Sequence, residues 1–445
     1  MSPPDPHDPA IPALPTQANP HFLRALSSLA EETEVQASED VFAQNGTKLL
    51  ARGARITPGL YEQIINHRLR TPLETSLASA EGLDTAALCR VAEQALDETP
   101  LLRSFCHWSQ GRVTPLGMLE HLHFSPQACT LLAVADRHSP ANRPHHVRVA
   151  LIAMGLANAW RYNDAHLLAS MGVAGLFHDV GELYVDPALS QRGHEISTRE
   201  WMAFSAHPII GAALAREVAK LDKLTQAAIL DHHERIDGFG YPRARRRAEV
   251  SVGGQILGLA EMISALVSRE QPRQHLSVAL KILPGEFAPD LVSLIGALCE
   301  DCPPDTPTES EESDMPDDIH RVFARIAATQ EIYANWQTSN YKFSPAAESA
   351  THDVFERFIG VQKAFASTGM DSFEVIAPLL SPAELREARV EARCVLNEIF
   401  WRLTRIAREL ALRCMKLPEG EAQVLMQLVD ALAGKICAED SKLAA

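Results

Sequence analysis

Asp164-Ala165-His166-Leu167-Leu168-Ala169-Ser170-Met171-Gly172-Val173-Ala174-Gly175-Leu176-Phe177-His178-Asp179 reads as a helix capped by Asp164. Leu168, Met171 and Leu176 recur at helical spacing, and the run delivers a His-Asp doublet at its end. A second run, residues 224–234, ends in His232-His233-Glu234-Arg235 and is broken by Gly238 and Gly240 of Asp237-Gly238-Phe239-Gly240-Tyr241-Pro242. Imidazole suits iron, zinc or nickel, and a carboxylate can bridge two ions. Two such doublets point to a metal-dependent hydrolytic centre, because a bound divalent ion polarises phosphoryl oxygens and makes hydroxide available near neutral pH.

The neighbouring segments continue the helical pattern. Val149, Ile152, Ala153 and Leu156 share one face of a helix beginning near His145. Ser197 with Glu200 offers a capping box for the helix carrying His207. A last helix, residues 254–267, carries Glu261 among Ile256, Leu259, Ile263 and Leu266. Trp160, Trp201, Trp336 and Trp401 fall at helix positions and read as core.

Outside this stretch the chain divides by composition. Residues 1–20 are proline-rich and read as a disordered tail. Within 21–140, Asn45-Gly46 marks the turn of a hairpin between Val41-Phe42-Ala43-Gln44 and Thr47-Lys48-Leu49-Leu50. Thr57-Pro58 opens a short helix, and helical spacing runs from about Thr85 to Val134. Residues 299–318 form an acidic, Pro- and Ser-rich linker, and 319–445 reads as an antiparallel helix bundle.

A net charge of −16 over 445 residues argues against a protein that coats a nucleic-acid polymer. Eight scattered cysteines fit a reducing compartment, and the single pair Cys299/Cys302 cannot fill a structural zinc site. The N-terminus lacks the basic start and apolar core of a signal peptide, and no apolar run approaches the roughly 20 residues that span a bilayer. The expectation is a cytoplasmic protein with no membrane span.

Five ordered segments carry a resemblance to a known family: His145-His146-Val147-Arg148-Val149-Ala150, His178-Asp179-Val180-Gly181, His207-Pro208-Ile209-Ile210-Gly211, His232-His233-Glu234-Arg235 and Asp237 to Pro242. Residues 141–298 resemble the HD-GYP domain, a subgroup of the HD phosphohydrolase superfamily whose members hydrolyse the bacterial second messenger cyclic di-GMP. The implied architecture is mostly α: an all-helical HD-type domain, preceded by the small module with its β-hairpin and followed by the C-terminal bundle.

The resemblance implies two divalent ions, iron or manganese first and zinc or nickel as alternatives. Asp179 would bridge them, with His145 and His178 on one ion and His207, His232 and His233 on the other. His146 competes with His145, but the family places a small polar residue at position 146. Glu261 stands where the family has a ligating Asp, and Glu182 where it has a phosphate-contacting Lys. Trinuclear members have a Glu at the position of Ala141, so two metals are expected here. Asp179 and Glu182 are the implied catalytic carboxylates, and Gly240, Tyr241 and Arg243 the implied substrate contacts. The resemblance also implies a signalling partner at the Gly-Tyr-Pro loop, and the helical C-terminal region offers a surface for a homodimer. A cyclic di-GMP phosphodiesterase is therefore expected, with two other readings kept: a nucleotide-binding or docking module weakened by Glu182 and Glu261, and an HD hydrolase of another nucleotide.

Overall fold

The computed structural model describes residues 11–79, 85–107, 113–161, 164–190, 197–269, 271–282, 285–302, 315–339, 342–370, 373 and 377–435. It divides into two compact units, Met1–Ser268 with Phe287–Pro303, and Arg269–Glu286 with Pro304–Ala445. The helix Pro272–Ile282 thus belongs with the C-terminal unit, whereas the sequence reading placed it before a boundary at 298. Its packing partners are the later helices Pro345–Ser367 and Pro382–Cys414. The helix Pro289–Asp301 returns to the first unit, and of the expected 299–318 linker residues 303–314 lie outside the described residues.

In the first unit the helices Arg143–Trp160, Ala165–Phe177, His207–Glu217, Lys223–Asp231 and Val252–Val267 pack on one another. Asp164 caps the second, its side chain accepting from Leu167 N. Its approach to the first is backbone on backbone: a Cβ on Gly175 would lie 2.3 Å from Ala150 Cα. The Ser197–Glu200 capping box is present, but it opens a short helix, Thr198–Phe204. His207 begins a separate helix with Pro208 in its first turn, so the single helix expected from Ser197 through His207 is two. The run read as 224–234 ends at Asp231, leaving both histidines just past its end.

The N-terminal module is part of this unit. Val41–Phe42 and Lys48–Leu50 pair antiparallel across Asn45-Gly46, with Gly46 at φ +93°. A second pair, Val35–Ala37 with Leu77–Ser79, had no sequence signal. The helix after Pro58 starts only at Leu60. Residues 11–20 are not a free tail: Leu14 and Ala18 are buried, and Arg216 donates to the carbonyls of Ile11 and Pro12 at 2.6 and 2.9 Å. Residues 1–10 lie outside the described residues.

This module grips the segment that follows the His-Asp doublet. Tyr184 donates its hydroxyl to the buried carboxylate of Glu74 at 2.5 Å, stands 6.4 Å from the Phe22 ring, and accepts at its carbonyl from Asn19 Nδ2. On its other side the segment Val180–Tyr184 lies against the start of the His207 helix, where a Cβ on Gly181 would fall 2.0 Å from His207 O.

The C-terminal unit has the expected helices, Met315–Thr338, Pro345–Ser367, Pro382–Cys414 and Glu419–Ala433. Its core encloses charge as well as apolar side chains. Buried Glu286 accepts from Arg357, Arg402 and Arg405, and Arg402 also bonds Glu398 and the carbonyl of Ala279. Such a network fixes an arrangement, since removing one partner leaves an uncompensated buried charge. Trp401, read as core, is 43% exposed and lies beside Arg402 and Arg405. Among the described residues no helix is long and apolar enough to cross a membrane.

Gly181→Ala tests the close approach. Forcing a methyl into backbone atoms that cannot retreat should cost about 1–3 kcal/mol, read as a lower urea midpoint with an unchanged slope.

Candidate metal centre

The histidines converge because each stands at a helix end. His145 lies in the first turn of Arg143–Trp160, His178 and His232 directly follow their helices, and His207 opens its own. The last turns of helices carry carbonyls with no intrahelical donor. Here the imidazoles supply one: His178 Nδ1 bonds Gly175 O at 2.9 Å, His207 Nδ1 bonds Phe204 O at 2.9 Å, and His232 Nδ1 bonds Ile229 O at 2.6 Å. A carbonyl only accepts, so Nδ1 carries a proton and Nε2, when unprotonated, presents its lone pair to the interior.

Those lone pairs point at Asp179. Its Oδ2 is 2.9 Å from His178 Nε2, and its Oδ1 is 3.4 Å from His207 Nε2 and 3.6 Å from His232 Nε2. Donor atoms form two groups that share Asp179: His145 and His178 on one side, His207, His232 and His233 on the other. The expected bridging arrangement of these six residues is therefore the one their positions allow.

Two details test whether the residues fit a cation. His178 Nε2 is buried and has no hydrogen-bond partner, despite its closeness to Asp179. His207 Nε2 and His232 Nε2 face each other at 3.3 Å, although both Nδ1 atoms already hold their protons. Two facing lone pairs repel unless a proton on one of them, which the raised pKa of His207 favours, or a metal cation stands between them. Nitrogen and carboxylate donors of this kind suit a borderline divalent metal, and the set fits it.

The electrostatics agree. Burial pulls His145 down to about 4, His232 to about 4 and His146 to about 3, and holds His233 well below the usual imidazole range. Burial also acts on His178, but the charge of Asp179 more than reverses it and lifts the ring to about 9. Asp179 resists its own burial through His178 and stays well below the usual carboxylate range. Burial, then the nearby Asp179 charge, pushes Glu182 up to about 8 and Glu261 to about 7. The pocket is short of positive charge, which a divalent ion would supply.

Other expected site residues take different places. Glu261 lies outside both donor groups, and its Oε2 sits 3.3 Å from His233 Nδ1. Arg243 turns inward: its guanidinium bonds Asp231 and lies 3.9 Å from Glu234, while its Nε and Nη1 have no hydrogen-bond partner. Gly240 presses on the backbone of Glu234 and Arg235, where a Cβ would fall within 2.3 Å of both. Tyr241 stacks on His233 at 4.4 Å and meets the edge of Trp201 at 5.3 Å. Glu182 is half-buried beside the cluster, with its backbone N–H bonded to Asp179 O.

Sequence reasoning passed over Ser264, Trp201 and Asp231. Ser264 Oγ is 3.1 Å from His145 Nδ1, doing for that ring what carbonyls do for the others. Its signal was available, three residues after Glu261 on the same helix face. Trp201, assigned to the core, flanks the loop; Asp231 ties Arg243 and Ser251 N together.

Residues 130–287 match the family model described as HD domain. This segment is an HD domain. The HD-GYP resemblance drawn from the five motifs holds with it. The chain is similar to 3'3'-cGAMP-specific phosphodiesterase 3 of Vibrio cholerae, 31% identical over 139 residues, covering 31% of this chain and 30% of that protein. It is also similar to a cyclic di-GMP phosphodiesterase of Pseudomonas aeruginosa, 31% identical over 125 residues, covering 28% and 30%. A cyclic di-GMP phosphodiesterase of Thermotoga maritima is 28% identical over 155 residues, covering 33% and 42%. The matches thus span about a third of the relatives' own length.

Within the HD domain, Glu234 holds the Gly-Tyr-Pro loop by accepting from Arg243 N at 2.7 Å and Arg245 N at 2.9 Å. Glu234→Ala should leave these N–H groups unpaired, at about 1–3 kcal/mol for a buried donor. Trypsin should then cut at Arg243–Arg247 faster than in the parent protein; equal cutting rates would show that another contact holds the loop.

Proposed function

We propose that this chain is a metal-dependent phosphodiesterase of cyclic dinucleotides, with cyclic di-GMP as substrate and two divalent ions at Asp179. The observation that carries the reading is the division of Asp179, one oxygen toward His178 and the other toward His207 and His232. Relatives named for cyclic di-GMP and for 3'3'-cGAMP support the substrate class. Iron or manganese is the first expectation and zinc or nickel the alternative, since imidazole and carboxylate accept all four.

His145, His178 and Asp179 would hold one ion, and Asp179, His207, His232 and His233 the other. When bound, such a pair of ions neutralises phosphoryl charge and activates water for in-line displacement. The protein's share is positioning. Backbone carbonyls and Ser264 fix the imidazoles, and the Glu261 carboxylate lies 3.3 Å from His233 Nδ1. Tyr241, stacked on His233, gives the site a wall on which a guanine base can lie. Glu182 adds a carboxylate near Asp179, where the family's Lys would attract phosphate.

That reversed charge keeps the second reading alive, a module that binds nucleotide or a partner without turnover. Hydrolysis of cyclic di-GMP and 3'3'-cGAMP by the anaerobically purified chain with Fe(II) or Mn(II) separates the two. The expected result is a linear dinucleotide product, lost with Asp179→Ala together with most of the bound metal, and lost on chelation but restored by metal. Stoichiometric metal with no turnover on either substrate would favour the binding module. Glu182→Lys then reports on the carboxylate: faster turnover marks it as a poor phosphate contact, slower turnover as support for the metal site.

A further inference from the structure

The two donor groups at Asp179 are unequal. His207, His232 and His233 join it on one side, but only His145 and His178 on the other. Glu261, expected as a ligand without assignment to either ion, lies outside both groups, its Oε2 3.3 Å from His233 Nδ1 and without a hydrogen-bond partner.

His146, like Glu261 outside both donor groups, stands beside the smaller one. It is 9% exposed, and its ring is 5.2 Å from the His178 ring, against 5.3 Å for His145. Its buried Nε2 has no hydrogen-bond partner and lies 3.9 Å from Asp179 Oδ2. A buried polar nitrogen left unmatched is unfavourable. At the edge of Asp179 Oδ2, a cation shared with that oxygen is the partner that satisfies it. The family resemblance gave preference to His145, yet the structure brings both rings near the same carboxylate.

We propose that His146 is a fourth ligand of the ion held by His145, His178 and Asp179. The inference rests on the metal-centre reading above. Each ion then has three imidazoles and a share of one carboxylate, with no second anionic ligand on either. Imidazole-rich sets of this kind favour cobalt, zinc, nickel or iron over manganese or magnesium.

The test is titration of the chelator-stripped full chain with Co(II), followed by visible absorption and by metal analysis after desalting. The parent protein should take up two ions. His146→Ser should keep one ion at parental affinity and bind the other at least ~10-fold more weakly, with a changed Co(II) spectrum for that ion. Glu261→Gln should still take up two. If His146→Ser does not fold by circular dichroism, His146→Phe fills the ring volume without a donor and should show the same loss. Two ions bound by the folded variant with parental affinity and spectrum would overturn the proposal while leaving the metal centre intact. A parent protein that takes up no cobalt would overturn the metal centre itself, and this inference with it.

Discussion

Everything at the centre of this molecule is arranged around one buried carboxylate. Asp179 lies within reach of His178, His207 and His232, and burial strips it of the water that would solvate its charge. A charge in that position is stable only with compensation close by. Helix ends bring the compensation, because their unpaired carbonyls hold each imidazole by Nδ1 and turn Nε2 inward. The same hydrogen bonds that finish the helices therefore also prepare the donors.

The loop and the N-terminal module both bear on segments next to that centre. Glu234 and Asp231 consume the inner face of the arginine-rich loop, leaving Arg246 and Arg247 exposed. A run of four arginine residues in five positions suggests an anion-binding strip, but the first is committed to internal pairing. On the other side, Glu74 and Asn19 hold Tyr184, two residues beyond Glu182. A module whose sequence offers no chemistry thus fixes the backbone next to the cluster.

Much of this was legible in the sequence, for identifiable reasons. Helical spacing and capping residues located the helices to within a few residues, and the order of His and Asp motifs picked out residues that gather at Asp179. Interactions set by tertiary neighbours were not legible. The break between Phe204 and His207, the pairing of Val35–Ala37 with Leu77–Ser79 and the docking of residues 11–20 all depend on partners distant in the chain. Side-chain direction was equally hidden: nothing in the spacing says that Glu261 turns to His233, that Arg243 turns inward, or that His146 reaches Asp179 alongside its neighbour.

The glycines at 175 and 181 leave backbone touching backbone at Ala150 and at His207. A framework closed that tightly has no slack to redistribute when a side chain changes. Inheritance can then alter such a centre only by exchange among the groups that line it, one donor lost as another arrives, and cannot do so by moving its walls. Lineages sharing this scaffold should accordingly differ in which atoms face the carboxylate far more than in where the helices lie.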